Sequence, residues 1–123
     1  MYKFSFEKLE VWQISRSLAI MVYDLTTIFP SSEKFGLTSQ IRRSAISVAS
    51  NVAEGAGRTS SKDQAHFTQL AYGSLMELLN QLIISSDVGY IKISDVGTLR
   101  NKIEIIANQL NALRKAQLNR YQK

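Results

Sequence analysis

The sequence predicts an all-α protein, an up-down-up-down four-helix bundle that forms one domain over residues 1–123. Four segments carry apolar residues at the three- and four-residue spacing of amphipathic helices. The connections between them are short, and they hold the single proline and most of the glycines. Short connections favour antiparallel packing of consecutive helices.

The first two helices have recognisable starts and ends. The first is predicted from Phe6 to Ile28, with Ser5 as its N-cap. It should end before Pro30, because the residue that precedes a proline is driven out of the helical region. The second is predicted from Thr38 to Glu54, with Gly55 as the glycine that ends it.

The last two helices follow the same logic. A capping box at residues 60–63 predicts the start of the third helix, which should run to Val88 and end at Gly89. The fourth helix should be capped by Ser94 or Asp95. Its core-facing seam alternates steps of four and three residues. The seam consists of Leu99, Ile103, Ile106, Leu110, Leu113 and Gln117.

The second helix has more apolar surface than one core requires. Its main stripe is Leu37, Ile41, Ala45, Val48 and Val52. A shorter set on one flank consists of Ile46, Ala49 and Ala53. A helix on the surface of a monomer needs only one apolar stripe. We therefore expect the small flank residues to pack against another helix or subunit, which predicts a homo-oligomer.

Composition narrows the classes of function. Without cysteine there can be no disulfide, no thiolate nucleophile and no cysteine-bound metal. The N-terminus does not resemble a signal peptide, and no apolar run reaches the ~20 residues of a membrane span. These features predict a cytoplasmic protein without a membrane partner.

The positive charge is concentrated in two regions. The chain carries a net charge of +5, of which residues 38–62 contribute +3 and residues 100–123 contribute +5, offset by acidic residues between them. A basic balance favours anionic partners such as RNA or DNA, although an ordinary solvated helical surface with a basic tail has the same pattern. The expected nucleic-acid contacts are Arg58, Lys62, Arg114, Lys115 and Arg120.

Two arginines on the second helix have two readings. Arg42 and Arg43 could contact phosphates, but neighbouring helical residues point about 100° apart and do not form one stripe. An ion pair across an interface is the other interpretation.

The segment from Gly55 to Arg58 lacks the spacing and the preceding strand of a phosphate loop. Helix termination is its main reading, and anion binding at the start of the third helix is the alternative.

No catalytic or metal-binding constellation is evident. His66 is the only histidine, and Asp63 is its one acidic neighbour at helical spacing. Nucleophilic catalysis needs a base, an orienting group and a nucleophile that converge. A carboxylate-bridged metal site in a helical bundle needs more than one such pair. We expect no catalytic residue, no metal ligand and no cofactor.

Ordered motifs over most of the chain resemble a known family, the 23S rRNA intervening-sequence proteins, also called the four-helix bundle protein family. The resemblance covers about residues 6–90, and the fourth helix matches only in pattern. The motifs that carry it are LEVWQ at 9–13, VYDLT at 22–26, FP at 29–30, FGLTSQIRRSA at 35–45, SNVAEG at 50–55 and AYGSLMEL at 71–78.

This resemblance implies a bundle that assembles into a ring, with a pentamer as the expected size. A related group, the accessory protein of diversity-generating retroelements, implies a basic surface with nucleic acid and a reverse transcriptase as partners. The family offers no catalytic residues. Its recurrent residues imply a structural and interface signature: Gln40, Arg42, Arg43, Ser50, Asn51, Glu54 and Gly55.

Three functions remain open at this stage. The leading one is a non-enzymatic oligomer that binds RNA or DNA weakly and without sequence preference, as an accessory to a nucleic-acid enzyme. The second is an oligomeric protein-binding adaptor with no nucleic-acid role. The third is an enzyme whose active site is shared between subunits, which would require a cleft with perturbed titratable groups.

Overall fold

The computed structural model describes residues 1–122, with the backbone alone at Gln122, and consists of helices. No strand occurs in this part of the chain, which confirms the predicted all-α class. Two short 3-10 turns precede the first and second α-helices. The elements are the turn Ser5–Lys8, α1 (Glu10–Thr26), the turn Ser31–Glu33, α2 (Leu37–Ala56), α3 (Ser61–Asp87) and α4 (Ile93–Gln122).

Each helix packs against its neighbours in a closed square. Helix α1 contacts α2 and α4, and α3 contacts the same two helices from the opposite corner. Near the start of α1, Gln109 Nε2 donates to Glu10 Oε1 at 3.3 Å. Further along α1, Lys102 Nζ donates to Ser17 Oγ at 3.1 Å. The partners in α4 run backwards as α1 advances, so these helices are antiparallel and the predicted four-helix bundle is confirmed.

The predicted seam of α4 lies in the core. Leu99, Ile103, Ile106 and Leu110 are all buried, and Leu113 is half-buried against them. The seam closes with a polar contact at its last position, where Thr68 Oγ1 donates to Gln117 Oε1 at 2.7 Å. This bond aligns the start of α3 with the end of α4.

The start of α1 differs from the prediction. Ser5 is not the N-cap, because residues 5–8 form a separate 3-10 turn. The Glu7 carboxylate accepts a hydrogen bond from the Phe4 amide at 3.0 Å, which stabilises this turn. Leu9 then takes an extended conformation, and the α-helix begins afresh at Glu10.

Gly55 does not end α2 as predicted. It is helical and buried, and the helix continues to Ala56. A Cβ atom on Gly55 would lie 2.9 Å from the Cβ of Phe67 in α3, which is closer than real Cβ atoms approach. The glycine is therefore required by the close contact of α2 with α3 and not by the end of the helix.

The two ends of α3 match the prediction, whereas the start of α4 does not. Ser60 Oγ accepts from the Asp63 amide at 3.1 Å, and Gly89 has the left-handed φ of 87° expected of a terminating glycine. Neither Ser94 nor Asp95 precedes α4, because that helix begins at Ile93. Asp95 Oδ2 instead accepts the amide of Lys92 from within the first turn, at 3.2 Å.

The connection between α3 and α4 is tied to the connection between α1 and α2. The Tyr90 hydroxyl donates to Glu33 Oε2 at 2.8 Å, and its ring packs against Phe29. The hydrogen bond to this carboxylate raises the pKa of Tyr90 above its usual value. Glu33 Oε1 also accepts the amide of Leu37 at 3.2 Å, so one carboxylate joins both loops and the first turn of α2.

The close contact at Gly55 predicts opposite effects for two glycine-to-alanine substitutions. Gly55→Ala should destabilise the fold by about 1–3 kcal/mol, because its methyl group collides with Phe67. Gly73→Ala is the matched control, since Gly73 is exposed within α3 and has nothing within 4 Å of an added Cβ. The control should stabilise the fold by about 0.5–1 kcal/mol.

Urea unfolding followed by circular dichroism measures both variants. Equal stability changes in the two would contradict the assignment of Gly55 to helix contact.

Candidate functional site

The flank set predicted on α2 lines an outward-facing groove between α1 and α2. Its volume is about 500 Å³. Helix α2 contributes Ile46, Ala49, Ser50 and Ala53, and α1 contributes Trp12, Arg16, Ala19, Ile20, Tyr23 and Asp24. The groove is therefore mostly apolar. Its polar lining residues are Arg16 and Asp24 of α1 and Ser50 of α2.

Large apolar side chains in this groove are exposed. Ile20 is 55% exposed, Ile46 is 45% exposed, and Tyr23 is 42% exposed. The small side chains of Ala49 and Ala53 between them allow close approach of another surface. Helix α1 covers part of the flank set, and the remainder faces outward from the chain.

Arg42 caps the C-terminal end of α1. Its Nε donates to Thr26 Oγ1 at 2.8 Å, and its Nη2 donates to the backbone carbonyl of Tyr23 at 3.4 Å. The guanidinium also lies over the Tyr23 ring, 4.7 Å from its centre. Carbonyls at the end of a helix attract cations, which favours this position of the guanidinium. Because Arg42 belongs to α2, its bonds join α1 to α2 within one chain. Neither of the two sequence-based readings anticipated this contact.

Among the other recurrent residues of α2, Asn51 makes contacts within the bundle and three others are exposed. Asn51 Nδ2 donates to the carbonyl and the hydroxyl of Ser47, and the Ser47 and Ser74 hydroxyls are hydrogen-bonded at 2.8 Å. This network connects α2 to α3 and is structural. Gln40, Arg43 and Ser50 are exposed.

Three of the predicted nucleic-acid residues converge at one end of the bundle. Gln64, in the first turn of α3, joins two of them. Its Nε2 donates to the carbonyl of Arg58 at 2.9 Å, and its Oε1 accepts from Arg120 Nη2 at 3.5 Å. Lys62 lies in the same turn of α3. We call these four residues the basic end.

Aromatic rings lie beside two of these cations. The guanidinium of Arg58 lies over the Phe67 ring at 4.4 Å, and Lys62 Nζ lies 5.9 Å from the centre of the Tyr121 ring. Arg58 also pairs with Glu54 at 3.1 Å, and both side chains of this pair are about half exposed. Such a surface ion pair contributes only about 0–1 kcal/mol, so phosphate can compete for Arg58.

Arg114 and Lys115 do not join the basic end. They precede Arg120 by six and five residues, so they point about 120° and 140° away from it around α4. Lys115 is exposed, whereas Arg114 is half-buried and its Nε has no hydrogen-bond partner within residues 1–122. Sequence reasoning placed them beside Arg120 because they are near it in the chain.

Sequence reasoning missed the roles of Gln64 and Phe67. Phe67 has the helical spacing of a core residue of α3, although it is only half-buried and contacts Arg58 at the surface. Gln64 carried no signal, because its contacts join the α2–α3 turn to the end of α4. Such contacts depend on the antiparallel packing of distant segments.

His66, the only histidine, is exposed and packs its ring on Phe67 at 5.6 Å. Within residues 1–122, no three His, Asp or Glu side chains are grouped as a metal site would require. In the same part of the chain, no helix is both long enough and apolar enough to cross a membrane.

Residues 7–112 match the 23S rRNA-intervening sequence protein family. The chain belongs to this family. The match spans α1, α2, α3 and most of α4, and it includes Arg58 and Lys62 of the basic end. Arg114, Lys115 and Arg120 lie beyond the matched residues.

A solved structure has the same fold. It is a crystal structure from Bacteroides thetaiotaomicron VPI-5482, of a protein with unknown function from the S23 ribosomal protein family. The two chains are 21% identical and superpose with a TM-score of 0.76, over 85% of this chain and 98% of that one. No curated protein is significantly similar to this chain.

Proposed function

We propose that this family member is a non-enzymatic, homo-oligomeric protein of the cytoplasm that binds RNA or DNA weakly and without reading sequence. The proposal is supported chiefly by the convergence of Arg58, Lys62 and Arg120 around Gln64. Phosphate contacts supply most of the affinity in non-specific nucleic-acid binding, and they require donors of this kind.

The surroundings of the basic end favour single strands over duplex grooves. Phe67 and Tyr121 lie beside the cations, and aromatic rings can stack on unpaired bases. The end of the bundle combines a helix start, a turn and a helix end, and it does not present one projecting helix to a major groove. Binding should therefore tolerate many sequences.

The apolar groove supports the assembly part of the proposal. A second copy of the chain would cover Ile20 and Ile46, and Ala49 and Ala53 leave room for its helix. A ring would repeat the +5 charge of each subunit, which raises attraction to a polyanion even where each contact is weak. Five subunits per ring is the number that the resemblance implies.

A protein-binding adaptor is the second candidate. It is favoured by the same groove, since Trp12 and Tyr23 line it and aromatic side chains are common in protein interfaces. In this case the groove would accept a helix from another protein. An accessory role beside a nucleic-acid enzyme such as a reverse transcriptase would combine both functions.

The groove predicts the effect of a charge at Ala49. Ala49→Glu should shift the unmodified oligomer toward smaller species, because it buries a carboxylate in an apolar contact between subunits. The matched control is Gln69→Glu, which adds the same charge at an exposed position of α3 outside the groove. Sedimentation velocity gives the mass of each variant, and thermal unfolding shows whether the subunit remains folded.

A monomeric unmodified protein would exclude assembly through the groove, as would an Ala49→Glu variant that is folded and of unchanged mass.

If nucleic acid binds at the basic end, removing the charges there should lower both the affinity and its dependence on salt. The double variant Lys62→Gln/Arg120→Gln should bind single-stranded RNA about tenfold more weakly and should flatten the dependence of log K on log salt by about 0.7 for each phosphate that is no longer neutralised. Lys92→Gln/Arg100→Gln is the control, since it removes the same charge from exposed positions near the start of α4. Fluorescence anisotropy over a salt series measures both slopes.

Equal reductions of affinity in the two double variants would show that only total charge matters. If the unmodified protein does not bind RNA detectably at low salt, nucleic-acid binding is excluded and the protein-binding adaptor becomes the favoured function. A further pair, Arg114→Gln/Lys115→Gln, separates the tail of α4 from the basic end, and we expect it to have the smaller effect.

A further inference from the structure

A second cavity, at the opposite end of α2 from the basic end, is lined by cations and by no carboxylate. Its volume is about 370 Å³, within the ~300–1,000 Å³ of typical ligand sites. Lys34, Arg42 and Arg43 line it. Among residues 1–122, none of the three lies within ion-pair distance of an acidic side chain. Three cations without an ion-pair partner around one cavity favour an anionic ligand.

Thr38 lines this cavity and carries an unused hydroxyl. The residue lines the cavity and is only 7% exposed, and its Oγ1 has no hydrogen-bond partner within residues 1–122. Buried hydroxyls are nearly always paired, and leaving one unpaired destabilises the fold. The Oγ1 atom has almost no accessible surface, so it pairs with a ligand oxygen in the cavity once the Thr38 side chain rotates about χ1.

The first turn of α2 adds backbone donors. Within residues 1–122, the amides of Thr38 and Ser39 donate no hydrogen bond, as is usual for the first residues of a helix. The carboxylate of Glu33 already accepts the neighbouring amide of Leu37, at 3.2 Å, and it is not among the residues that line the cavity. Amides at a helix start together with cations form a common setting for phosphate.

Arg42 is held in place before any ligand arrives. Its bonds to Thr26 and Tyr23 use Nε and Nη2, which leaves Nη1 free to donate. A guanidinium that is already oriented loses little conformational entropy when it binds an anion. The same residue can therefore cap α1 and contribute charge to the cavity.

Two aromatic rings lie at the cavity beside the cations. Phe35 is 89% exposed, and Lys34 Nζ lies 5.5 Å from the centre of its ring. Tyr23 lines the same cavity and is also exposed. Phe35 is not part of the core, and a planar base stacked on it would cover its face.

We propose that this cavity binds a nucleotide, with its phosphate held by Arg43, Lys34 and the Thr38 hydroxyl and its base stacked on Phe35. This inference goes beyond the proposed function, because the site is separate from the basic end and does not require polynucleotide binding. The nucleotide can be a free monophosphate or one unit of a single strand. The chemistry that recognises it is the same in both cases.

Titrations of the uniformly labelled full chain, followed by amide NMR, test the site. Adenosine monophosphate should shift the amides of Thr38 and Ser39, and inorganic phosphate should shift the same amides with lower affinity. Adenosine should shift neither. Arg43→Gln should weaken adenosine monophosphate binding about tenfold, as expected when a charged hydrogen bond is removed.

Two further variants separate the phosphate from the base. Phe35→Ala should reduce the affinity for adenosine monophosphate to that for inorganic phosphate, and its exposure makes a folding defect unexpected. Thr38→Val should weaken both ligands several-fold and leave the melting temperature equal or higher, because it removes an unpaired buried hydroxyl. A merely structural threonine would lose stability without loss of affinity.

The basic-end variant Lys62→Gln/Arg120→Gln is the control, and its adenosine monophosphate affinity should be unchanged. Displacement of the nucleotide by single-stranded oligothymidylate would support a strand as its source, and failure of displacement would support a free nucleotide. The proposal is overturned if millimolar adenosine monophosphate does not shift the two amides, or if Arg43→Gln binds it as well as the unmodified chain does.

Discussion

The close contact of α2 with α3 at Gly55 is the constraint on which the rest of this end of the bundle depends. Because Gly55 has no side chain, Phe67 packs directly against the backbone of α2. The short turn that follows places Arg58 over the Phe67 ring and its carbonyl within reach of Gln64. Gln64 in turn receives Arg120 from the end of α4. The basic end is thus a consequence of helix packing, and a wider separation of α2 from α3 would disperse it.

The helices and the core could be predicted because their signals are local and periodic. Leu110 and its seam neighbours repeat at the spacing of a packed helix, and burial confirmed them. The wrong predictions concern residue types that occur in more than one structural role. A glycine near the end of a helical pattern usually terminates it, but Gly55 is buried within the helix by its contact with Phe67 of the next helix. Ser5 matched an N-cap, yet the bond between Glu7 and the Phe4 amide formed a separate turn.

The candidate sites were less predictable, since they depend on contacts between distant segments. Charge counting found Arg58, Lys62 and Arg120 but could not show that Gln64 joins two of them. It grouped Arg114 and Lys115 with Arg120 by proximity, although helical rotation separates them. The role of Arg42 depends on its bonds to Thr26 and Tyr23, which lie on another helix. The unpaired hydroxyl of Thr38 has no counterpart in sequence, because burial and partners are properties of the fold.

Nucleic-acid binding at the basic end is tested most directly by ultraviolet crosslinking of the protein in the cells that make it, followed by mass spectrometry of the purified adducts. We expect nucleotides to be attached to peptides from the start of α3 and the end of α4, where Phe67 and Tyr121 lie beside the cations. Recovery of the intact protein with bound protein partners, but with no attached nucleotide, would contradict a nucleic-acid role for this bundle.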